Sequence, residues 1–374
     1  MIRNQHLILA LLVLGLDASH GAPGSKVAAG PIPALHTKGD VYKTEGENDP
    51  LIYDPALGTR KMIMLYLDFP DREMSIDTKE RGQKILGGDG FKKLFAEQSH
   101  GKLSFSIEHV HGWRRLSKQV RQYSSKTTEA HRELFEEIFS LYPKIDFRDY
   151  DYAVAHMPGI GNTAFGERDD LAIPYRGGKI NVALNVSSTS HYVLAHEVAH
   201  CMGLPDLYTY GGVEGPRNPA GPWDIMSAAG RSTGFLGWHR HKLQWLDAER
   251  KAYLTKSRTS LKLSPLSGSE GISMMVVPVD DPVHPSKVFV IEVAQPIRLK
   301  DGTRTKEEGI LVYSVDATLA TGQNPVVVYP RADLDQAAYH VGDRFDSADA
   351  PFRMKVLERL ADGSYNLDIQ IPKK

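Results

Sequence analysis

The sequence lacks several features that define whole classes of protein. It contains a single cysteine, Cys201, among 374 residues, which excludes an intramolecular disulfide framework. Neither charge is in excess, because 45 Lys and Arg stand against 46 Asp and Glu, for a formal net charge of −1 at pH 7. A chain without a basic excess is poorly suited to neutralise a phosphate backbone, so we expect no nucleic-acid partner.

The composition that remains is that of an ordinary globular protein. Hydrophobic residues make up 41% of the chain and charged residues 24%, which argues against a chain disordered throughout. The length predicts roughly two domains.

The first 21 residues have the pattern of a secretory signal peptide. Arg3 supplies the positive start, residues 7–16 are apolar, and Ser19 and Gly21 are small residues where a signal peptidase cleaves. No later stretch approaches the roughly 18 consecutive apolar residues of a membrane span. We therefore expect cleavage after Gly21 and a secreted, extracellular protein with no membrane span once the signal is removed.

The rest of the chain divides into three parts by pattern. Residues 22–57 are rich in Gly, Pro and polar residues without periodicity, which predicts a linker or pro-segment with no core. Residues 58–250 predict a mixed α/β unit, with strands at 62–67, 103–107, 151–155 and 180–184 and helices at 90–98 and 129–141. Residues 251–374 contain short β-rich runs at regular spacing and predict a β-sandwich-like module.

The most informative pattern is His-Glu-x-x-His, formed by His196, Glu197 and His200. On a helix, positions i and i+4 share a face, so both imidazoles can bind one metal ion at about 2.0–2.1 Å. Hydroxyls of residues 187–190 are predicted to cap this helix, and Leu194, Val198 and Cys201 form an apolar face roughly opposite the histidines. This arrangement is the active-site geometry of a metalloprotease.

The residues after the helix predict a turn toward the metal. Gly203 suits a left-handed C-cap, and Pro205 prevents the helix from resuming. The turn can bring Asp206 back as a third ligand, which with a water would complete a catalytic Zn²⁺ site for one ion. Two alternatives stay open: a capping or salt-bridging role for Asp206, and Glu214 as the ligand in its place.

Glu197 lies beside the histidines and is the predicted general base, which takes a proton from water as the water attacks a peptide carbonyl. Other residues are predicted to have structural roles. Cys201 is expected to be a small buried hydrophobic residue, and His239 and His241 to be packing or surface residues. Tyr208 and Tyr210 are expected to be buried or interfacial rather than oxyanion donors. Ca²⁺ stays possible but unsupported, because Asp343, Asp346 and Asp349, like Asp169 and Asp170, match no EF-hand loop.

Residues 196–206 have the extended form His-Glu-x-x-His-x-x-Gly-x-x-Asp, and here the chain resembles the secreted zinc metallopeptidases of the immune inhibitor A type. Residues 223–227 are similar to that family's Trp-x-x-Met-Ser segment, which implies that Met226 forms the turn beneath the metal, as in metzincins. The resemblance covers residues 60–320 and implies a zincin-like catalytic domain with a mixed sheet and an active-site helix. Cys201 departs from the family, where an acidic residue often follows the second histidine.

These patterns predict a secreted zinc endopeptidase that acts on protein or peptide substrates. We expect residues 180–184 to form the sheet edge on which an extended substrate adds. Two other functions remain open: a secreted binding or adhesion protein that keeps a protease-like shell without turnover, and a zinc hydrolase of a non-peptide substrate.

Overall fold

The computed structural model describes residues 30–38, 43–48, 53, 55–123, 127–158, 165–167, 173–185, 190–255, 258–299, 302–305 and 308–372. The predicted signal peptide, residues 1–21, lies outside the described residues, as do the predicted capping residues 187–189. Among the described residues, none of the helices is both long and apolar enough to cross a membrane.

The first part of the chain is a mixed α/β unit, as predicted. Its strands are β1 (Gly58–Asp68), β2 (Leu103–Arg115), β3 (Tyr152–His156), β4 (Phe165–Glu167), β5 (Ile173–Tyr175) and β6 (Gly178–Asn185). Its helices are α1 (Thr78–Leu86), α2 (Gly90–Gln98), α3 (Thr128–Ser140), α4 (His191–Cys201), α5 (Ile225–Ala228) and α6 (Gly237–Lys242), with 3₁₀ turns at Val120–Tyr123, Phe147–Asp149, Gly221–Trp223 and Ala248–Arg250. The predicted helix at 90–98 is confirmed with the same bounds.

The six strands form one sheet in the order β2-β1-β3-β6-β4, with β5 also paired to β6. Strands β1, β2, β3 and β6 run parallel, whereas β4 and β5 are antiparallel to β6. Strand β1 lies inside the sheet, between β2 and β3, and is buried on both faces, which explains its continuous apolar run. Met62, Met64 and Tyr66 face the core that contains α2 and α4, and the alternate residues Ile63 and Leu65 face α3.

The remaining strands form two further sheets in the described part of the chain. They are β7 (Lys251–Tyr253), β8 (Arg258–Leu263), β9 (Met274–Pro278), β10 (Lys287–Val293), β11 (Ile310–Asp316), β12 (Val326–Val328), β13 (Arg344–Asp346), β14 (Arg353–Arg359) and β15 (Tyr365–Gln370). One sheet has the order β12-β11-β10-β9-β7 and the other β13-β14-β15-β8.

Alternate residues of the five-stranded sheet face two different cores. Met275 and Ile291 pack against the four-stranded sheet, whereas Met274 and Val290 join the core of the α/β unit. Because both of its faces are covered by apolar layers, this sheet connects the α/β unit to the C-terminal strands.

Two expectations from the sequence are wrong. Strand β6 is not a sheet edge, because it lies between β3 and β4 and also pairs with β5. The expectation of no core in residues 22–57 fails for Leu35 and Ala56, which are buried in the core of the α/β unit. These apolar side chains cover surface that the α/β unit would otherwise expose.

Candidate metal centre

Helix α4 carries the His-Glu-x-x-His pattern into the interior. Leu194, Val198 and Cys201 are fully buried in the core, so the predicted apolar face is confirmed. The N-cap residue Ser190 makes no side-chain capping bond, and the other residues of the predicted capping run, 187–189, lie outside the described residues. Packing of the apolar face therefore fixes this helix. The opposite face, which carries His196 and His200, is thereby held toward the segment that contains Asp206.

The structure brings His196, His200 and Asp206 together. The two Nε2 atoms lie 3.1 Å apart, and Asp206 Oδ1 lies 3.1 Å from His196 Nε2 and 3.3 Å from His200 Nε2. Gly203 adopts a φ of +91°, the left-handed conformation predicted for the turn that returns Asp206 to the helix. Glu214, the alternative ligand, is exposed on the following loop.

Hydrogen bonds on the far side of each imidazole fix which atoms face the centre. His196 Nδ1 lies 3.0 Å from the carbonyl oxygen of Ile225, and His200 Nδ1 lies 2.8 Å from that of Leu204. A carbonyl oxygen can only accept, so each Nδ1 donates its proton. In a neutral imidazole the lone pair then lies on Nε2, pointing at Asp206.

Three acceptor atoms at these distances repel one another unless a proton or a metal ion lies between them. Asp206 Oδ1 is buried and has no hydrogen-bond partner among the described residues. Tetrahedral ligands at about 2.0–2.1 Å from zinc are separated from each other by about 3.3 Å, close to the spacing of these atoms. The donor set therefore fits a metal ion of this size.

Glu197 belongs to the same buried group. Ligand atoms of His196, Glu197 and His200 all lie within 4.8 Å of one another, so these three residues could hold a metal ion. Burial raises the pKa of Glu197 to about 7, against the positive charges of His196 and Lys43. A carboxylate with a pKa near neutrality can both accept and return a proton at physiological pH.

The pKa values of His196, His200 and Asp206 shift in different directions, and the geometry of the site explains why. Burial lowers the pKa of His196, but the Asp206 carboxylate 3.1 Å from its Nε2 and the charge of Glu197 outweigh it and raise the value to about 9. Burial lowers the pKa of His200 to about 4. Burial raises the pKa of Asp206, but both histidines together hold it well below its ordinary range. These opposite shifts favour an ionised Asp206 beside a protonated His196.

Asp206 is held in place by a loop of the C-terminal part of the chain. Its backbone N–H donates to Thr321 Oγ1 over 2.9 Å, and its carbonyl accepts from Gly322 N over 3.1 Å. Its second carboxylate oxygen accepts from the hydroxyl of Tyr210, a residue predicted to be buried or interfacial and in fact 43% exposed. Sequence reasoning missed Thr321 and Gly322 because no metal-site pattern includes them.

The turn that contains Met226 contacts His196 through the adjacent residue Ile225. Asp224 accepts from the backbone N–H of Met226 over 2.7 Å and so caps α5, while Ile225 supplies the carbonyl for His196. Met226 is fully buried, and its own carbonyl accepts from Leu207 N over 3.1 Å, which ties this turn to the Asp206 segment.

The other residues considered in the sequence lie in different environments. Cys201 is buried, as expected. The ring of Tyr208 stacks on His196 at 6.4 Å between centroids, so Tyr208 lies at the metal centre. Asp343 accepts from His340 N, and Asp346 pairs with Arg353. Asp169 and Asp170 lie outside the described residues.

Comparison with known proteins gives limited likeness. No family model matches the chain, and no curated protein matches it. Catalytically inactive OgpA from Akkermansia muciniphila, in complex with an O-glycopeptide substrate, aligns with a TM-score of 0.31 and 11% identity over 83% of this chain and 92% of that chain. Wild-type OgpA from the same organism aligns with a TM-score of 0.32 and 10% identity over 83% of this chain and 92% of that chain. TM-scores this low establish no shared fold, so we interpret the site from this chain's own geometry.

Proposed function

We propose that this chain is a secreted zinc-dependent endopeptidase that hydrolyses bonds in protein or peptide substrates. In this proposal a zincin-like catalytic domain spans residues 58–250 and a β-sandwich-like module follows at 251–374. The observation that supports it best is the convergence of His196 Nε2, His200 Nε2 and Asp206 Oδ1, each within 3.3 Å of the others.

His196, His200 and Asp206 would hold one zinc ion. When bound, zinc would supply Lewis acidity, which lowers the pKa of water and polarises a carbonyl. The carbonyls of Ile225 and Leu204 keep both imidazoles in the tautomer that leaves Nε2 free.

Glu197 is the proposed general base. Its carboxylate accepts the proton of the attacking water and later returns it to the leaving amine, so the residue is unchanged after a turnover. Its raised pKa, about 7, suits both transfers.

Strand β4 is the proposed substrate edge in place of β6. Among the strands of the described residues it is the end strand in the sheet order, and α4 packs against it. An extended peptide could add to its outer side through backbone hydrogen bonds.

The proposed function is tested by incubating the purified secreted protein with unfolded casein. We expect cleavage that a zinc chelator stops, that the chelator's non-chelating isomer leaves unchanged, and that added zinc restores. If the folded, zinc-loaded protein leaves casein and peptide libraries intact, the proposal fails. A binding role would then be favoured, unless cleavage of a non-peptide substrate identified a different hydrolase.

Zinc binding is expected to release at least one proton at pH 7, because the pKa of His196 is raised to about 9 and zinc must displace that proton. Apparent zinc affinity should therefore rise about tenfold per pH unit from pH 7 toward pH 9. Titration calorimetry in two buffers of different ionisation enthalpy measures the release. Heats that do not depend on the buffer would contradict the protonation assigned to His196.

A further inference from the structure

Residues 43–48, which we call the N-terminal strap, lie within the region whose sequence predicts a linker or pro-segment. Lys43, Thr44 and Glu45 are buried, and Glu45 has no exposed surface at all. Glu47, two residues further on, is exposed. A fully buried carboxylate is rare unless it is paired, so Glu45 marks the strap as part of the folded interior.

Glu45 begins a chain of contacts that ends at the first metal-site histidine. Its Oε1 lies 2.9 Å from His239 Nε2, and His239 Nδ1 lies 2.8 Å from Asp224 Oδ2. Asp224 caps the helix α5, whose first residue, Ile225, supplies the carbonyl that orients His196. A continuous series of contacts therefore links the buried carboxylate of Glu45 to His196.

The strap also contacts the other two predicted ligand segments. Asn48 donates from Nδ2 to the carbonyl oxygen of Met202 over 2.7 Å, at the end of helix α4. It fits against Gly203, where a Cβ would lie 2.4 Å from its Oδ1. On the other side, Lys43 O accepts from the backbone N–H of Thr321, the residue that holds Asp206.

Loss of the strap would leave buried cationic groups without their partner. Lys242 has a side chain only 3% exposed, its Nζ lies 3.8 Å from Glu45 Oε2, and it donates to the carbonyl of Thr44. Without Glu45, His239 would keep one of its two carboxylate partners, Asp224. Removing one partner from a buried ion pair is strongly destabilising, because the remaining charge has no water to replace it.

From these contacts we infer that residues 43–48 stay in the functional protein as a positioning element of the metal centre, with Glu45 as the positioning residue. Any removal of N-terminal residues during maturation therefore ends before residue 43. The inference rests on the proposed function, because it assigns the strap to the zinc site of that same enzyme.

Glu45→Gln tests the positioning role, with Glu47→Gln as a matched control in the same segment. We expect the zinc dissociation constant of Glu45→Gln, measured by chelator competition, to rise about tenfold, as for partners that orient metal ligands. The visible absorption of the Co²⁺-substituted protein should shift, and kcat should fall while KM stays the same. Glu47→Gln should match the wild type in every readout. Equal zinc affinity and equal Co²⁺ spectra in the two variants would overturn the inference.

The N-terminus of the wild-type secreted protein gives a second test that does not depend on the folding of any variant. Intact mass of the zinc-loaded protein should place its first residue before Lys43. A zinc-loaded protein that begins after Asn48 would overturn the inference. Zinc binding with a retained strap but no peptide cleavage would contradict the proposed function and leave the strap assignment intact.

Discussion

Replacement of Glu197 by alanine is expected to lower kcat for peptide cleavage by about 10²- to 10⁴-fold while zinc stays bound. The loss follows because Glu197 is the buried carboxylate beside His196 and His200, and its pKa of about 7 suits proton transfer. The three proposed ligands, with their backbone partners, remain in place in this variant. Zinc content is measured by atomic emission, and kcat with a fluorogenic peptide.

The control for this prediction is Glu136→Ala, the same chemical change at an exposed position of helix α3. It should keep full activity and full zinc content. If Glu197→Ala retained more than a tenth of the wild-type kcat, a different group would have to transfer the proton. If instead it lost zinc, Glu197 would be a ligand rather than the base.

Replacement of His239 by alanine is expected to lower the free energy of unfolding by about 3–5 kcal/mol, the range for breaking a buried ion pair. His239 is 1% exposed and lies between two buried carboxylates, at 2.9 Å from Glu45 and 2.8 Å from Asp224. Without the imidazolium both carboxylates lose their closest cation. Urea unfolding followed by tryptophan fluorescence, with metal removed from both proteins, measures the difference.

The pH dependence of this difference identifies its cause. Burial lowers the pKa of His239, but the charges of Asp224 and Glu45 outweigh it and raise the pKa to about 10, above the ordinary value of 6.5. A raised folded-state pKa gives a stabilisation that is complete below about pH 6.5 and is lost as the pH rises through about 10. The stability gap between wild type and His239→Ala should therefore narrow from pH 6.5 to pH 10.

The matched control is His284→Ala, at a side chain that is 77% exposed. Its free energy of unfolding should stay within about 0.5 kcal/mol of the wild type across this range. A gap for His239→Ala that is constant or widens toward pH 10 would show that the residue contributes by packing and not by charge.

Much of the fold near the site was predictable, because local pattern and burial agree there. Strand β1 reads as a continuous apolar run since both of its faces are covered. Helix α4 combines an apolar face with two histidines at helical spacing. The sequence alone therefore predicts both that this segment is helical and which of its faces carries the candidate metal ligands.

Helix α1 was missed for a physical reason. It has few apolar residues and contains Gly82, which disfavours a helix. In the structure Gly82 is needed for close approach, because a Cβ there would lie 2.2 Å from the hydroxyl oxygen of Tyr66. Tertiary packing thus overrides the local preference.

The supports of the metal centre could not be predicted because their partners are distant along the chain. Glu45 and His239 are separated by 194 positions, and Asp206 and Thr321 by 115. A single sequence carries no signal that pairs such residues. The substrate edge was misplaced for a similar reason, since the order of strands in a sheet depends on these long-range pairings.

The central claim is that His196, His200 and Asp206 hold one zinc ion, and anomalous diffraction from zinc-loaded crystals at the zinc absorption edge tests it most directly. The account predicts a peak at about 2.0–2.2 Å from His196 Nε2, His200 Nε2 and Asp206 Oδ1. A fully ordered site without a peak, or a peak bound by Glu214 or another residue in place of Asp206, would contradict it.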